Sequence, residues 1–400
     1  MLLGIFSDSH LGFGSDDRFE ESFARFKESI QIFKENNADF LLHAGDLFDE
    51  AVPEQEVWKK AFECFSVNNS SDKLTSITKH GLNESQKVLV KGIPVIAIHG
   101  THEFRGKDFT NAIAILEEAN CLVHLHAGFV ELEKNGEKVF VYGMGGIPEK
   151  HAREALQKFN PKPVQGGINL LLLHQSFKEF LPFDDEMIAS LSLADLPDGF
   201  DLIVNGHLHW SNEQKLEGKR FLLAGSSIFT QMKKLESSHP KGVFLFETKT
   251  KKLEFIPFVN QRKLFYEKID FKSAQPEEVM VAVKQKVDSV CSSDKFNLKP
   301  LVRLKLCGSL AKGFSQADIS FSFPDSAIFS VSKDFSVESF GKKIEELKAM
   351  QLEKKSIIDL GVDILEKNIE ESGLKEFDSR RIFELLSIGE MEKAEQVLLS

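Results

Sequence analysis

Five short apolar runs in this chain each end on side chains that can bind metal. Asp8 and His10 follow LLGIFS, Asp46 follows LLHAG, and Thr101 and His102 follow VIAIHG. His174 closes LLLL, and His207 and His209 follow LIVNG. In the alternations Asp8-Ser9-His10 and His207-Leu208-His209, residues two apart leave an extended segment on the same side, so each pair can serve one ion. Imidazole and carboxylate donors without thiolate suit manganese, iron or zinc. Two such ions, commonly about 3.5 to 4 Å apart, are the machinery of phosphoester hydrolysis. A carboxylate bridging them is required, and Asp46, set off by Gly45, is the candidate.

Elements of an α/β layer architecture would position these residues. The runs LLGIF, ADFLLHA, IPVIAIH, INLLLLH and DLIVNGH read as buried strands separated by helical stretches. Open α/β sheets gather their sites at the carboxyl ends of strands, where all eight residues fall. Phe19, Phe23, Phe26, Ile30 and Phe33 recur at helical spacing and give one apolar stripe to lay on a sheet. The polar run from Ser66 to Gln86, rich in Asn and Ser, is expected to be an excursion from the core. We expect the first domain to occupy residues 1–261, a small α+β domain 262–345, and a helical tail 346–400.

Composition bounds the function. Fifty Lys and Arg against 61 Asp and Glu leave a formal charge of −11, so any nucleic-acid role needs a local basic surface or a partner. Cys64, Cys121, Cys291 and Cys307 are too scattered for a zinc ribbon or a disulfide framework, which fits a reducing cytoplasm. The apolar runs are too short to span a bilayer, and neither a signal peptide nor a membrane anchor is expected.

The ordered set DSH, GDLFD, GTHE, LLH and GHLH resembles the five motifs of calcineurin-like metallophosphoesterases. Within them, SDSHLG and GDLFD are similar to the double-strand-break repair nucleases of the meiotic recombination eleven and SbcD type, archaeal in organisation. The resemblance implies a β-sandwich flanked by helices, a capping α+β domain that helps present DNA, and a helical tail. It implies that Asp8, His10, Asp46 and His209 hold one metal, and that Asp46, position 101, His174 and His207 hold the other. His102 would act on the scissile phosphate, as donor to the leaving oxygen or stabiliser of transition-state charge. Two Mn²⁺ would assist in-line attack on phosphorus with departure of the 3′ oxygen, giving 3′ to 5′ exonuclease action on duplex DNA and endonuclease action on single strands and hairpins. A homodimer and an SMC-like coiled-coil ATPase partner, SbcC-like, are also implied, the latter docking on the C-terminal helices.

One residue departs from the pattern. The resembled family carries asparagine where this chain has Thr101. A threonine hydroxyl falls short of that carbonyl oxygen by roughly one bond length, ~1.2 to 1.5 Å, and is a weak neutral ligand, so the second metal site is expected to be weak. Glu103 or Asp49 reaching a bound water is a compensation the sequence permits. Thr101 also motivates a competing reading as a non-catalytic scaffold, and a phosphodiesterase acting on another ester is a third reading. Against a protein phosphatase, GDLFDEA lacks the arginine-glycine extension those enzymes carry.

Other candidates read more plainly. His43 and His99 are expected to be satisfied core residues, and His124 and His126 strand residues. Arg105 and Lys107 beside the site could touch DNA phosphates or be solvated charge. In the tail, Ile358, Val362, Leu365 and Ile369 share a helical face that Gly373 can end. A second helix can be capped by Asp378 and stapled by Phe377 with Ile382, and it presents Leu385, Leu386, Met391, Val397 and Leu398. Those faces need either the nuclease body or a coiled-coil partner.

Overall fold

The computed structural model describes residues 1–68, 74–81, 85–106, 109–181, 190–216, 218–292 and 296–336, together with Val362 and Arg381. The chain divides into two compact units. One comprises Met1–Tyr266, Val290–Arg303 and Pro324–Ser330; the other comprises Glu267–Ser289, Leu304–Phe323 and Val331–Ser400.

The larger unit is built on two sheets. In the six-stranded sheet the strands Leu2–Phe6, Phe40–Ala44, Val95–Ile98 and Val123–His124 run parallel. Gly242–Glu247 and Lys252–Pro257 extend it antiparallel beside Leu2–Phe6. The eight-stranded sheet has a parallel centre of Glu137–Met144, Ile168–Leu173, Leu202–Asn205 and Lys219–Leu223. Because successive strand residues point to opposite faces, each buried strand feeds two cores. Leu42, Ile96 and Ile98 meet Val141, Leu170, Leu172 and Val204 between the sheets. Their neighbours Leu41, Val95 and Ala97 face outward onto the helices.

Helix Asp16–Glu35 supplies much of that outer layer. Phe23, Phe26, Ile30 and Phe33 are buried and Phe19 is partly buried, as the stripe requires. On the far side, Leu171, Leu173, Ile203 and Leu223 pack with Ala152 and Leu156 of helix Glu149–Phe159. The result is a β-sandwich with helices on both outer faces.

The polar run from Ser66 to Gln86 departs from expectation. Helix Gln55–Asn68 ends in it, and strand Leu74–His80 pairs with both Ser85–Lys91 and Gly128–Lys134. Among the described side chains of Leu74–His80 and Ser85–Lys91, only Ile77, Val88 and Val90 are buried, so one face stays polar and hides the strands from a search for apolar runs.

In the rest of the chain, strands Leu264–Ala274, Leu301–Leu310 and Ile328–Ser336 form a three-stranded sheet with Leu301–Leu310 in the middle, and Pro276–Ser292 is a helix. The tail helices expected over residues 346–400 lie outside the described residues, apart from Val362 and Arg381. No helix among the described residues is long and apolar enough to cross a membrane.

Candidate metal centre

Left-handed turns at the strand ends carry the donors inward. Asp8, His10, Asp46 and His207 have φ of 48°, 45°, 51° and 73°. For residues other than glycine such backbone costs of order 1–3 kcal/mol each and persists where surrounding structure enforces it. The enforcement is visible here: Asp8 N–H donates to Gly45 O at 2.9 Å, His10 N–H to Asp46 O at 3.1 Å, and His207 N–H to Asp8 Oδ1 at 2.9 Å. Gly100 makes the closest approach. A Cβ there would lie 2.0 Å from Asp46 Oδ1, so only glycine lets the third strand end close on that carboxylate.

Two donor clusters result. Ligand atoms of Asp8, His10 and His209 lie within 4.8 Å of one another, as do those of Asp46, His174 and His207. Asp49 and His102 form a further set with His10. In the first cluster, His10 Nε2 and His209 Nε2 face each other at 3.3 Å. Their other ring nitrogens are occupied: His10 Nδ1 lies 3.0 Å from Asp49 Oδ1, and His209 Nδ1 bonds Thr230 Oγ1. Asp8 Oδ2 is buried without a hydrogen-bond partner. In the second cluster, His174 Nδ1 donates to Ala44 O at 2.7 Å, which turns Nε2 toward Asp46 Oδ2 at 3.1 Å. That contact lacks hydrogen-bond alignment, and Nε2 has no such partner. Lone pairs aimed at one another in a buried space, with an orphaned carboxylate oxygen beside them, are what a pair of divalent cations would resolve. The residues present fit two metal ions.

The electrostatics agree. Burial pushes Asp8 up to about 6, with His174 opposing and Asp46 adding to the shift. For Asp46 burial also pulls upward, but the facing His174, helped by His10 and His102, holds its carboxyl well below the usual range. Burial works against a charge on His174, yet Asp46 raises it to about 10. Burial, reinforced by the charge on His174, lowers His207 to about 4. Burial and the neighbouring His10 hold His209 well below the ordinary imidazole value.

Thr101 sits at the second cluster, its Oγ1 3.4 Å from His207 Nδ1. His102 is the most exposed histidine of the centre, with its side chain 42% exposed. Its backbone N–H donates to Asp46 Oδ1 at 2.9 Å and its Nδ1 to Asp49 O at 2.5 Å, leaving Nε2 4.0 Å from Asp46 Oδ2.

The remaining candidates are supports. Glu103 is fully buried and accepts from both Phe48 N and Gly100 N at 2.6 Å, so it ties two loops together. Asp49 is engaged by His10. His43 contacts Ser9 Oγ at 3.0 Å, and burial lowers it to about 3. His99 and His124 contact each other at 3.0 Å, and both are kept neutral first by burial and then by neighbouring histidines. His126 lies just beyond strand Val123–His124 and accepts from Gly145 N at 3.1 Å. Arg105 rests over the Phe109 ring; Lys107 lies outside the described residues.

Sequence reasoning missed Thr230 and Lys241. Buried Lys241 Nζ donates to His209 O at 2.7 Å and Ser226 Oγ at 2.8 Å and pairs with Glu236 at 2.9 Å, fixing the loop that carries His209. No local pattern marks either residue. Asp49 had a signal, three residues beyond Asp46 in GDLFD.

The profile described as Calcineurin-like phosphoesterase matches residues 1–211, more than half of the chain. The chain belongs to the calcineurin-like phosphoesterase family. Membership makes it a metal-dependent phosphoesterase, in keeping with the two donor clusters. It is 26% identical over 317 residues to the DNA double-strand break repair protein Mre11 of Sulfolobus acidocaldarius, covering 78% of this chain and 76% of that protein. With the Thermoplasma acidophilum protein of the same name it shares 25% over 347 residues, 81% of each chain. With the double-strand break repair protein MRE11 of Arabidopsis thaliana it shares 29% over 313 residues, 67% of this chain and 43% of that one.

Proposed function

We propose that this phosphoesterase is a DNA double-strand-break repair nuclease that uses two Mn²⁺, the first held by Asp8, His10, Asp46 and His209, the second by Asp46, Thr101, His174 and His207. The observation that carries the reading is the solvent-facing His102 beside two donor clusters, in a chain similar to Mre11 proteins along most of its length. When bound, the metals supply Lewis-acid stabilisation of the charge that develops on the phosphate. The chain's own residues do the rest. Asp49 holds His10 through its carboxylate and His102 through its carbonyl, so Nε2 of His102 is the ring nitrogen turned toward the reacting phosphate. In its doubly protonated form that nitrogen can hand a proton to the departing 3′ oxygen. The outcome is 3′ to 5′ exonuclease action on duplex DNA and endonuclease action on single strands and hairpins.

Residues 262–345 would form the capping domain, and residues 346–400 would bind an SMC-like coiled-coil ATPase, which also offers the DNA-binding surface that a chain of charge −11 lacks. A homodimer working in the cytoplasm completes the proposal. The test offers purified protein with Mn²⁺ labelled duplex DNA and, separately, bis-p-nitrophenyl phosphate. Shortening of the duplex from its 3′ ends is expected. Hydrolysis of the small diester with intact DNA would favour a phosphodiesterase of another substrate, and failure on both would favour a scaffold weakened at Thr101. Deleting residues 350–400 is expected to spare cleavage of small substrates and abolish capture of the ATPase in a pull-down.

A further inference from the structure

Every histidine of the centre but one has the ring nitrogen turned away from the cluster held by a hydrogen bond. His10 is held by Asp49, His174 by Ala44 O, His209 by Thr230, and solvent-facing His102 by Asp49 O. His207 is the exception. Its Nδ1 faces Thr101 Oγ1, and its Nε2 has Glu149 Oε1 at 4.0 Å, beyond hydrogen-bond reach. Glu149 opens helix Glu149–Phe159 and is anchored at that place. Its Oε1 accepts from Ser176 N at 3.2 Å, two residues past His174, while its Oε2 is buried without a hydrogen-bond partner.

The segment leading to Glu149 is pressed against the Thr101 loop. Gly146 N–H donates to His99 O at 2.7 Å, and a Cβ on Gly146 would lie 2.5 Å from Gly100 C and 2.6 Å from Thr101 N. Only glycine permits that approach, and the bond to His99 O tethers the backbone before Glu149 beside the second cluster.

We propose that Glu149 is the positioning residue of the second metal site: it closes about 1 Å onto His207 Nε2–H, fixes that tautomer, and leaves Nδ1 as the donor. A carboxylate behind an imidazole raises its basicity and locks its ring. The chain thereby offsets a weak hydroxyl donor at Thr101 with a stronger imidazole at His207.

This inference rests on the two-metal reading of the site and is independent of DNA. The test is Mn²⁺ titration, followed by electron paramagnetic resonance and calorimetry, of wild type, Glu149→Gln and Glu149→Ala, with ¹⁵N-histidine NMR of the metal-free proteins. Glu149→Ala is expected to weaken the second Mn²⁺ by about 10- to 100-fold while leaving the first unchanged. Glu149→Gln, which keeps an acceptor but no charge, should fall between. The His207 signal should change from the Nε2–H tautomer to a mixture in Glu149→Ala. An unshifted second midpoint in Glu149→Ala would overturn the proposal, and so would equal weakening of both sites, which would make Glu149 a strut. Wild-type protein binding fewer than two Mn²⁺ would overturn the two-metal reading itself, and this inference with it.

Discussion

The two halves of the metal centre are built to different standards. The Asp8, His10 and His209 cluster is sealed: all three residues are buried, and both imidazoles are gripped from behind by side chains, Asp49 and Thr230. The Asp46, His174 and His207 cluster is open at one edge. His207 is 29% exposed, Thr101 offers only a hydroxyl, and His207 lacks a partner at bonding distance behind it. Buried, preoriented donors lose little freedom on binding, whereas an open edge must be ordered by the ion itself. The first ion should therefore bind tightly and the second exchange, a division in which one metal is structural to the site and the other arrives with the working enzyme.

The largest expected effect falls on the chemistry and on neither cluster. His102→Ala should lower DNA cleavage by roughly 10²- to 10⁴-fold while both Mn²⁺ remain bound, because its hydrogen bond to Asp46 runs through its backbone N–H and its ring Nε2 stays 4.0 Å from Asp46 Oδ2. A crystal soaked in Mn²⁺ reads this directly, and an emptied site would break the comparison by making His102 a ligand.

Thr230→Val strikes the sealed half. It removes the hydroxyl behind His209 and should weaken the first ion about 10- to 100-fold with the second unaffected, measured by Mn²⁺ titration. If the second ion weakened instead, the assignment of His209 to the first cluster would be wrong.

Protons weigh on both halves next. His174, raised to about 10 beside Asp46, carries a proton at neutral pH in the metal-free protein and must release it to become a donor. Apparent affinity at the second cluster should thus climb about tenfold per pH unit from neutrality toward that value. In the first cluster Asp8 is ionised once the pH exceeds about 6 and His209 is already neutral, so the proton to be released there sits on His10, which burial pulls down but Asp49, Asp46 and Asp8 together raise above the ordinary imidazole value. Calorimetry at pH ~7 in buffers of different ionisation enthalpy should register the proton released with the second ion. Identical enthalpies across buffers would contradict it.

The smallest effect is Thr101→Asn. Asparagine returns a carbonyl donor to the open edge, so the second Mn²⁺ should bind a few-fold, about 2- to 5-fold, more tightly, with a matching gain in cleavage at low Mn²⁺. The gain is modest because Asp46, His174 and His207 already supply three donors there; equal midpoints would mark Thr101 as a sufficient ligand.

Much of the site was legible in the residue order. An apolar run followed by a metal-capable side chain is a local signal, and five of them in series named both the layer architecture and its active edge. The stripe of Phe23, Phe26, Ile30 and Phe33 worked in the same way, since helical spacing lies within a few neighbours. The hairpin of Leu74–His80 and Ser85–Lys91 escaped because half of each strand is polar.

What the chain's order could not contain is who faces whom. His10 and His209 meet across 199 positions, and Thr230, Lys241 and Glu149 reach the centre only because the two sheets pack with their strand ends together. Donor identity is a property of single residues and survives in the sequence. The hydrogen bond that chooses which ring nitrogen is free depends on the packed distance between loops, and only the tertiary structure sets that distance.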